Sequence, residues 1–127
     1  MFEDEEGRED WLDQARFTLL ASEDMLMGGL AEEAIYDSFL AMVYAARAAL
    51  QVRAEDVSGW EEVVSRFQAG ALPALGLSKE NQRALPIVAG LYRRVSRGEV
   101  EADPVTGAAC LEDARSFVDE VEARLLA

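Results

Sequence analysis

AEEAIYDSFLAMVYAARAALQVR, residues 31–53, decides the fold of this chain. Between Ala34 and Leu50 only Tyr36, Asp37, Ser38, Tyr44 and Arg47 carry polar side-chain atoms. The run holds no Gly and no Pro, and its Ala, Leu and Met residues lose little entropy on entering a helix. At 3.6 residues per turn Ala34, Ser38, Ala41, Ala45 and Ala48 share one stripe. Ile35, Phe39, Met42, Ala46 and Ala49 form the next, and Leu40, Val43 and Leu50 a third. A helix apolar on nearly every side is buried by its neighbours rather than laid on a surface. The stretch therefore predicts a central rod, ~35 Å long at 1.5 Å per residue, enclosed by other helices.

The flanks supply those helices. Residues 1–8 read as a solvated acidic lead-in, and Glu9 and Asp10 suit the positive end of a first helix. Leu12, Ala15, Leu19, Ser22 and Leu26 recur at helical spacing, with Phe17, Leu20 and Met25 widening the face, until Gly28-Gly29 stops it. The central helix restarts near Leu30, so short a connection implying antiparallel neighbours, and Arg53 falls in its last turn. Residues 54–59 form a loop in which Ser58, with Glu61 three residues on, has the form of a capping box. The short helix after it, with Trp60, Val63, Val64 and Phe67 on one face, ends near Gln68, and Gly70, Pro73 and Gly76 predict irregular chain. Ser78 caps a helix to about Ser96, which Pro86 should kink or split. A last helix starts at Pro104 or Thr106 and buries Leu111, Ala114, Phe117, Val118, Val121 and Leu125. The fold expected is all-α: an antiparallel up-and-down four-helix bundle with one additional short helix, residues 9–127 forming the single domain.

Composition narrows the chemistry. The 127 residues carry a formal charge of −13, from 25 acidic and 12 basic side chains, and there is no His. Residues 1–13 alone hold seven acids against Arg8, yet the remainder is still acidic. Such a chain is repelled by phosphate backbones and anionic lipid, so nucleic acid and membrane are poor partners. Cys110 is the only cysteine, which excludes an intrachain disulfide, fits the cytoplasm and reads as a small core residue. The N-terminus has neither the basic nor the apolar region of a signal peptide, and residues 34–50 are too short and too polar to cross a bilayer. No Gly-rich phosphate loop, Ser-His-Asp set or Cys pair is present, so no catalytic residue and no cofactor is assigned. Glu32-Glu33 and Glu61-Glu62 fall in first helical turns, where the macrodipole explains them, and no metal site is assigned.

Six residues stand out as candidates for a ligand or an interface: Tyr36, Arg47, Tyr92, Arg93, Arg94 and Arg97. The three arginines at 93, 94 and 97 could hold a phosphate by charge-assisted bonds, although their place near a helix C-terminus is the plainer explanation. Arg47, on the buried rod, calls for a carboxylate from another helix or an intersubunit cleft. The tyrosines could stack on a base, but aromatics at this spacing are more often core. Trp11 and Trp60 suit an interface, or plain burial at the end of the bundle.

The order of these features resembles the HEPN domain, a small helical family of prokaryotic toxin, nuclease and nucleotidyltransferase-partner proteins. Ala15, Leu19 and Leu26, Gly28-Gly29-Leu30, Ala34-Ile35-Tyr36 and the block Leu40 to Leu50 carry the resemblance, which Val63 to Phe67, Leu91-Tyr92-Arg93 and Ala114 to Val118 continue. It spans roughly residues 10–126. The resemblance implies a bundle that pairs as a homodimer or docks on a partner, such as a nucleotidyltransferase-like chain, in a toxin–antitoxin setting. Many members are metal-independent ribonucleases with an Arg followed four to six residues later by a His. Here the residues four to six places after Arg93 are Arg97, Gly98 and Glu99, and those after Arg94 are Gly98, Glu99 and Val100. Ser58-Gly59-Trp60 stands where close relatives carry a His. With no imidazole to move a proton near neutral pH, the expectation is a non-catalytic protein acting by association. The alternative is a divergent nucleotide-binding protein or ribonuclease with an Arg/Tyr cleft.

Overall fold

A computed structural model describes residues 2–51, 57 and 59–127, with side chains from residue 7 onward. Helix α1 runs Phe2–Met27, α2 Ala31–Leu50, α3 Trp60–Arg66, α4 Leu72–Leu75, α5 Lys79–Ser96 and α6 Pro104–Leu126. A π-helical turn, Phe67–Ala71, joins α3 to α4 without a break. The described residues contain no strand. Arg53, most of the 54–59 loop and the Ser58 cap lie outside the described residues.

The rod is buried as its composition requires. Ala34, Ile35, Ser38, Ala41, Met42, Ala45 and Ala48 are wholly covered, and Phe39 nearly so. α2 packs chiefly on α1 and α6, and also meets α5 and α3. Its small-residue stripe faces α1: the Ser22 hydroxyl donates to the Ala34 carbonyl at 2.8 Å and lies 2.9 Å from the Ser38 hydroxyl. Small side chains there let two backbones approach, and the paired hydroxyls satisfy each other where a lone buried one would cost 1–3 kcal/mol, roughly. Across α1 and α6, Arg16 meets Asp119 and Glu122, and Glu23 meets Arg115.

The helix ends follow local chemistry. At the close of α1, Gly29 takes φ +82°, Leu30 N–H donates to Met25 and Gly29 N–H to Leu26, the paired bonds that a left-handed glycine permits. Gly98 ends α5 in the same way, with Glu99 N–H on Arg94 and Gly98 N–H on Val95. Asp103 accepts from Thr106 N–H at 2.7 Å, which settles the start of α6 at Pro104. Ser78 caps α5 through Asn81 N–H, as its sequence position predicts. Cys110 is buried among core residues; burial, then Asp113, pushes its thiol up to about 11, so it is a packing residue and not a nucleophile.

Four local expectations need correction. The helix expected from Glu9 begins at Phe2, seven residues earlier. Phe17 and Leu20 do not widen the buried face of α1; they are 74% and 61% exposed. The segment after Gln68 stays helical to Leu75: Pro73 brings no N–H and its ring would press on the carbonyl four residues back, and the wider turn, with Leu72 N–H reaching Phe67, accommodates it. Of the two outcomes expected of Pro86, a kink or a split, the split does not occur: α5 is continuous from Lys79 to Ser96. Gln68 Nε2 reaches the Gln82 carbonyl, the acceptor that Pro86 leaves without its helical donor, at 3.4 Å.

Glu120 of α6 holds the start of α5. It accepts from Ser78 N–H, the Ser78 hydroxyl and Asn81 Nδ2, the last at 2.7 Å. Donation from Asn81 first, then from Ser78, outweighs burial and lowers the carboxyl below the ordinary glutamate value. A lowered folded pKa means that stability is present above the unfolded value and is lost as pH falls through the folded one. Glu120→Gln should therefore cost about 1 kcal/mol at neutral pH, a figure kept small by solvent access, and nothing below both pKa values. Urea melts of both proteins across acidic pH check this, and a constant difference at all pH values contradicts it.

Candidate binding surface

Four rings from three helices meet beside α2. Phe39 stacks on Tyr92 of α5 at 5.2 Å between centroids and meets the edge of Trp60 of α3 at 4.9 Å. Tyr36, one turn before Phe39, leans on Tyr92 at 5.3 Å, and Trp60 lies 6.2 Å from Tyr92. Such pairs add ~0.5–1.5 kcal/mol beyond the area they bury. The Arg93 guanidinium sits over Trp60, 5.2 Å from the ring centre. Phe39 is buried, Trp60 and Tyr92 are half-buried, and Tyr36 and Arg93 reach solvent. The result is an aromatic floor with a cation at its edge. Burial first, then Tyr92, raises the Tyr36 hydroxyl above its ordinary range, so at neutral pH it is a donor and not a base.

The six candidate residues are thus divided. Tyr36, Tyr92 and Arg93 come together. Arg94 and Arg97 are exposed near the end of the same helix and pair with no carboxylate among the described residues. Arg47 is elsewhere, eleven residues beyond Tyr36 on α2 and about 16 Å along its axis. Its guanidinium lies over Trp11 at 5.1 Å, and Trp11 stacks on Tyr44 at 5.7 Å.

Among the described residues Arg47 has no carboxylate of the kind that a charge on a buried helix calls for. One of its terminal nitrogens, Nη1, is buried with no hydrogen-bond partner among the described residues, and burial lowers its pKa. Trp11 replaces the ion pair with a cation–π contact, which needs no second buried charge. Arg47→Met should accordingly change stability by no more than about 1 kcal/mol in denaturant melts. A loss near 3–5 kcal/mol would mean that a carboxylate depends on it.

Phe39, a core residue as its stripe on α2 predicts, and Trp60, read as an interface residue or as buried at the bundle end, both belong to the cluster. The missed signal lies in spacing: Phe39 is one turn from Tyr36, and Trp60 opens the helix that follows the rod.

The sequence model of the HEPN domain matches residues 8–124, nearly the whole chain. The chain belongs to the HEPN domain family. A search of curated proteins returned no match. Within this HEPN domain the Tyr36–Tyr92–Arg93 cluster offers stacking surface and one fixed cation, with no imidazole anywhere in the sequence. Among the described residues no three Asp, Glu or Cys side chains converge as metal ligands would. No described helix is long and apolar enough to cross a membrane.

Proposed function

We propose that this HEPN domain is non-catalytic and acts by protein association, as a homodimer or docked on a partner such as a nucleotidyltransferase-like chain, in a toxin–antitoxin setting in the cytoplasm. The observation that carries the reading is the absence of His from the whole sequence. The Arg-to-His ribonuclease pattern is then impossible, and neither arginine nor a tyrosine held protonated can replace imidazole as a proton shuttle near pH 7. We place the associating unit at residues 9–127, with residues 1–8 as an acidic N-terminal segment before it. Its long helices α1, α2, α5 and α6 form an antiparallel up-and-down four-helix bundle, with α3 and α4 as the short addition. The pairings of Ser22 with Ser38 and Trp11 with Tyr44 support this, since position rises along one helix as it falls along the other. Arg16 with Glu122 and Glu23 with Arg115 run the same way for α1 and α6.

A second reading is favoured by the ring cluster: a nucleotide stacked on Tyr36 and Tyr92 with its phosphate at Arg93 and, beyond it, Arg94 and Arg97. Two assays on the purified chain decide between them. Incubation with a structured RNA should leave it intact, and ATP or GTP at millimolar concentration should not raise the melting temperature. Cleavage, or a ligand-induced rise in melting temperature, that Arg93→Ala and Tyr92→Ala abolish would replace the first reading with the second.

A further inference from the structure

We propose that the outer face of α1 is a docking seam for a basic amphipathic helix of a partner protein; this rests on the association reading and names the face and the partner's chemistry. Asp13, Phe17, Leu20, Asp24 and Met27 follow one another at intervals of four, three, four and three residues, and all five are exposed. That spacing is the heptad seam along which one helix packs on another. Single exposed apolar residues are ordinary, but Phe17 and Leu20 lie side by side on one stripe, and Met27, 80% exposed, extends it by two turns. Beside them a groove of about 370 Å³ opens between α1 and α6, with Leu19 and Leu20 on its floor and Arg16, Arg115 and Asp119 around it.

Charge identifies the occupant. The groove's two cations are engaged: Arg16 with Asp119 and Glu122, and Arg115 with Glu23 at 3.2 Å. The seam's carboxylates, Asp13 and Asp24, have no ion pair among the described residues. A second copy is a poor fit. Pairing two seams about Leu20 sets Asp13 against Met27 and supplies no free cation, so carboxylates would be desolvated on apolar surface. A helix with a Leu-type stripe flanked by Lys or Arg covers Phe17, Leu20 and Met27 and neutralises Asp13 and Asp24 together. Anionic lipid and nucleic acid have the wrong sign for this face.

The test uses the full chain and a fluorescein-labelled synthetic helix with Leu at heptad seam positions and Arg beside them, against the same peptide with Glu for Arg. Anisotropy should show binding of the basic peptide only, weakened at least tenfold by Phe17→Ser with Leu20→Ser and weakened by salt. Asp13→Lys with Asp24→Lys should shift the preference to the acidic peptide. Because all four positions are exposed, circular dichroism of the variants should match the parent. Failure of the basic peptide to bind, or binding that Phe17→Ser with Leu20→Ser leaves unchanged, overturns the proposal. So does light scattering in which that double variant turns a dimer into a monomer, since a second copy would then be the occupant. If the parent chain is assembled and its mass survives the double variant while no peptide binds, only this seam is refuted. If the parent is a lone monomer that co-purifies with nothing, the association reading fails as well.

Discussion

Phe39→Ala is expected to destabilise the protein by about 3–5 kcal/mol, the upper end of what truncating one buried side chain costs. Phe39 is 1% exposed, and three helices converge on its ring. Truncation removes the transfer energy of the ring, leaves a cavity between α2, α3 and α5, and takes away the stack on Tyr92 and the edge contact with Trp60. Rigid helices on each side collapse poorly into such a space, so the cavity cost adds to the transfer cost. For a chain of this size the melting temperature should fall by roughly 10–20 °C. The same change should free Trp60, so its fluorescence should shift toward that of a solvated indole while the protein is still folded. Urea melts followed by circular dichroism and by fluorescence measure both effects. A loss under about 1 kcal/mol would mean that the ring cluster is not part of the core.

Ala45→Leu is expected to cost about 2–3 kcal/mol by the opposite route, the upper part of what overpacking costs. Ala45 has no exposed surface and shares the small-residue stripe with Ser38 and Ala41, where α1 and α2 approach closely enough for Ser22 to reach both Ser38 and the Ala34 carbonyl. Three added carbons have no space there, so α1 must move away from α2. The effect should be visible beyond the site, because Trp11 stacks on Tyr44, the residue next to Ala45. Hydrogen exchange of the α1 amides and Trp11 fluorescence report the separation. Ala45→Gly, which needs no space, should cost only about 1 kcal/mol, through helix propensity. If leucine and glycine cost the same, the close approach of the two helices is not what the stripe provides.

Residues 34–50 made the central helix legible because burial on every side leaves a run with almost no polar atoms, a pattern that needs no tertiary information. The glycine breaks at Gly29 and Gly98 and the Ser78 cap were legible for the same reason, being local rules of backbone geometry. Phe17 and Leu20 are exposed although apolar residues at helical spacing look alike whether they face the core or solvent; only the position of α6 separates the two. The continuation of α3 through the π turn was hidden by Gly70 and Pro73, which stop a regular helix but not a widened one. The candidate surface was half legible. Tyr36, Tyr92 and Arg93 stand out by residue type, whereas Phe39 and Trp60 join them only through the approach of three helices. Arg47 drew attention for its charge on a buried helix, and its answer, Trp11, lies on a helix 36 positions away in sequence.

Association rather than catalysis is the central claim, and the mass of the chain purified from its own cells tests it most directly. Light scattering at micromolar concentration should give twice the 13.9 kDa of one chain, or the mass of one chain with a bound partner. A single species at 13.9 kDa with no other protein in the peak would contradict the account.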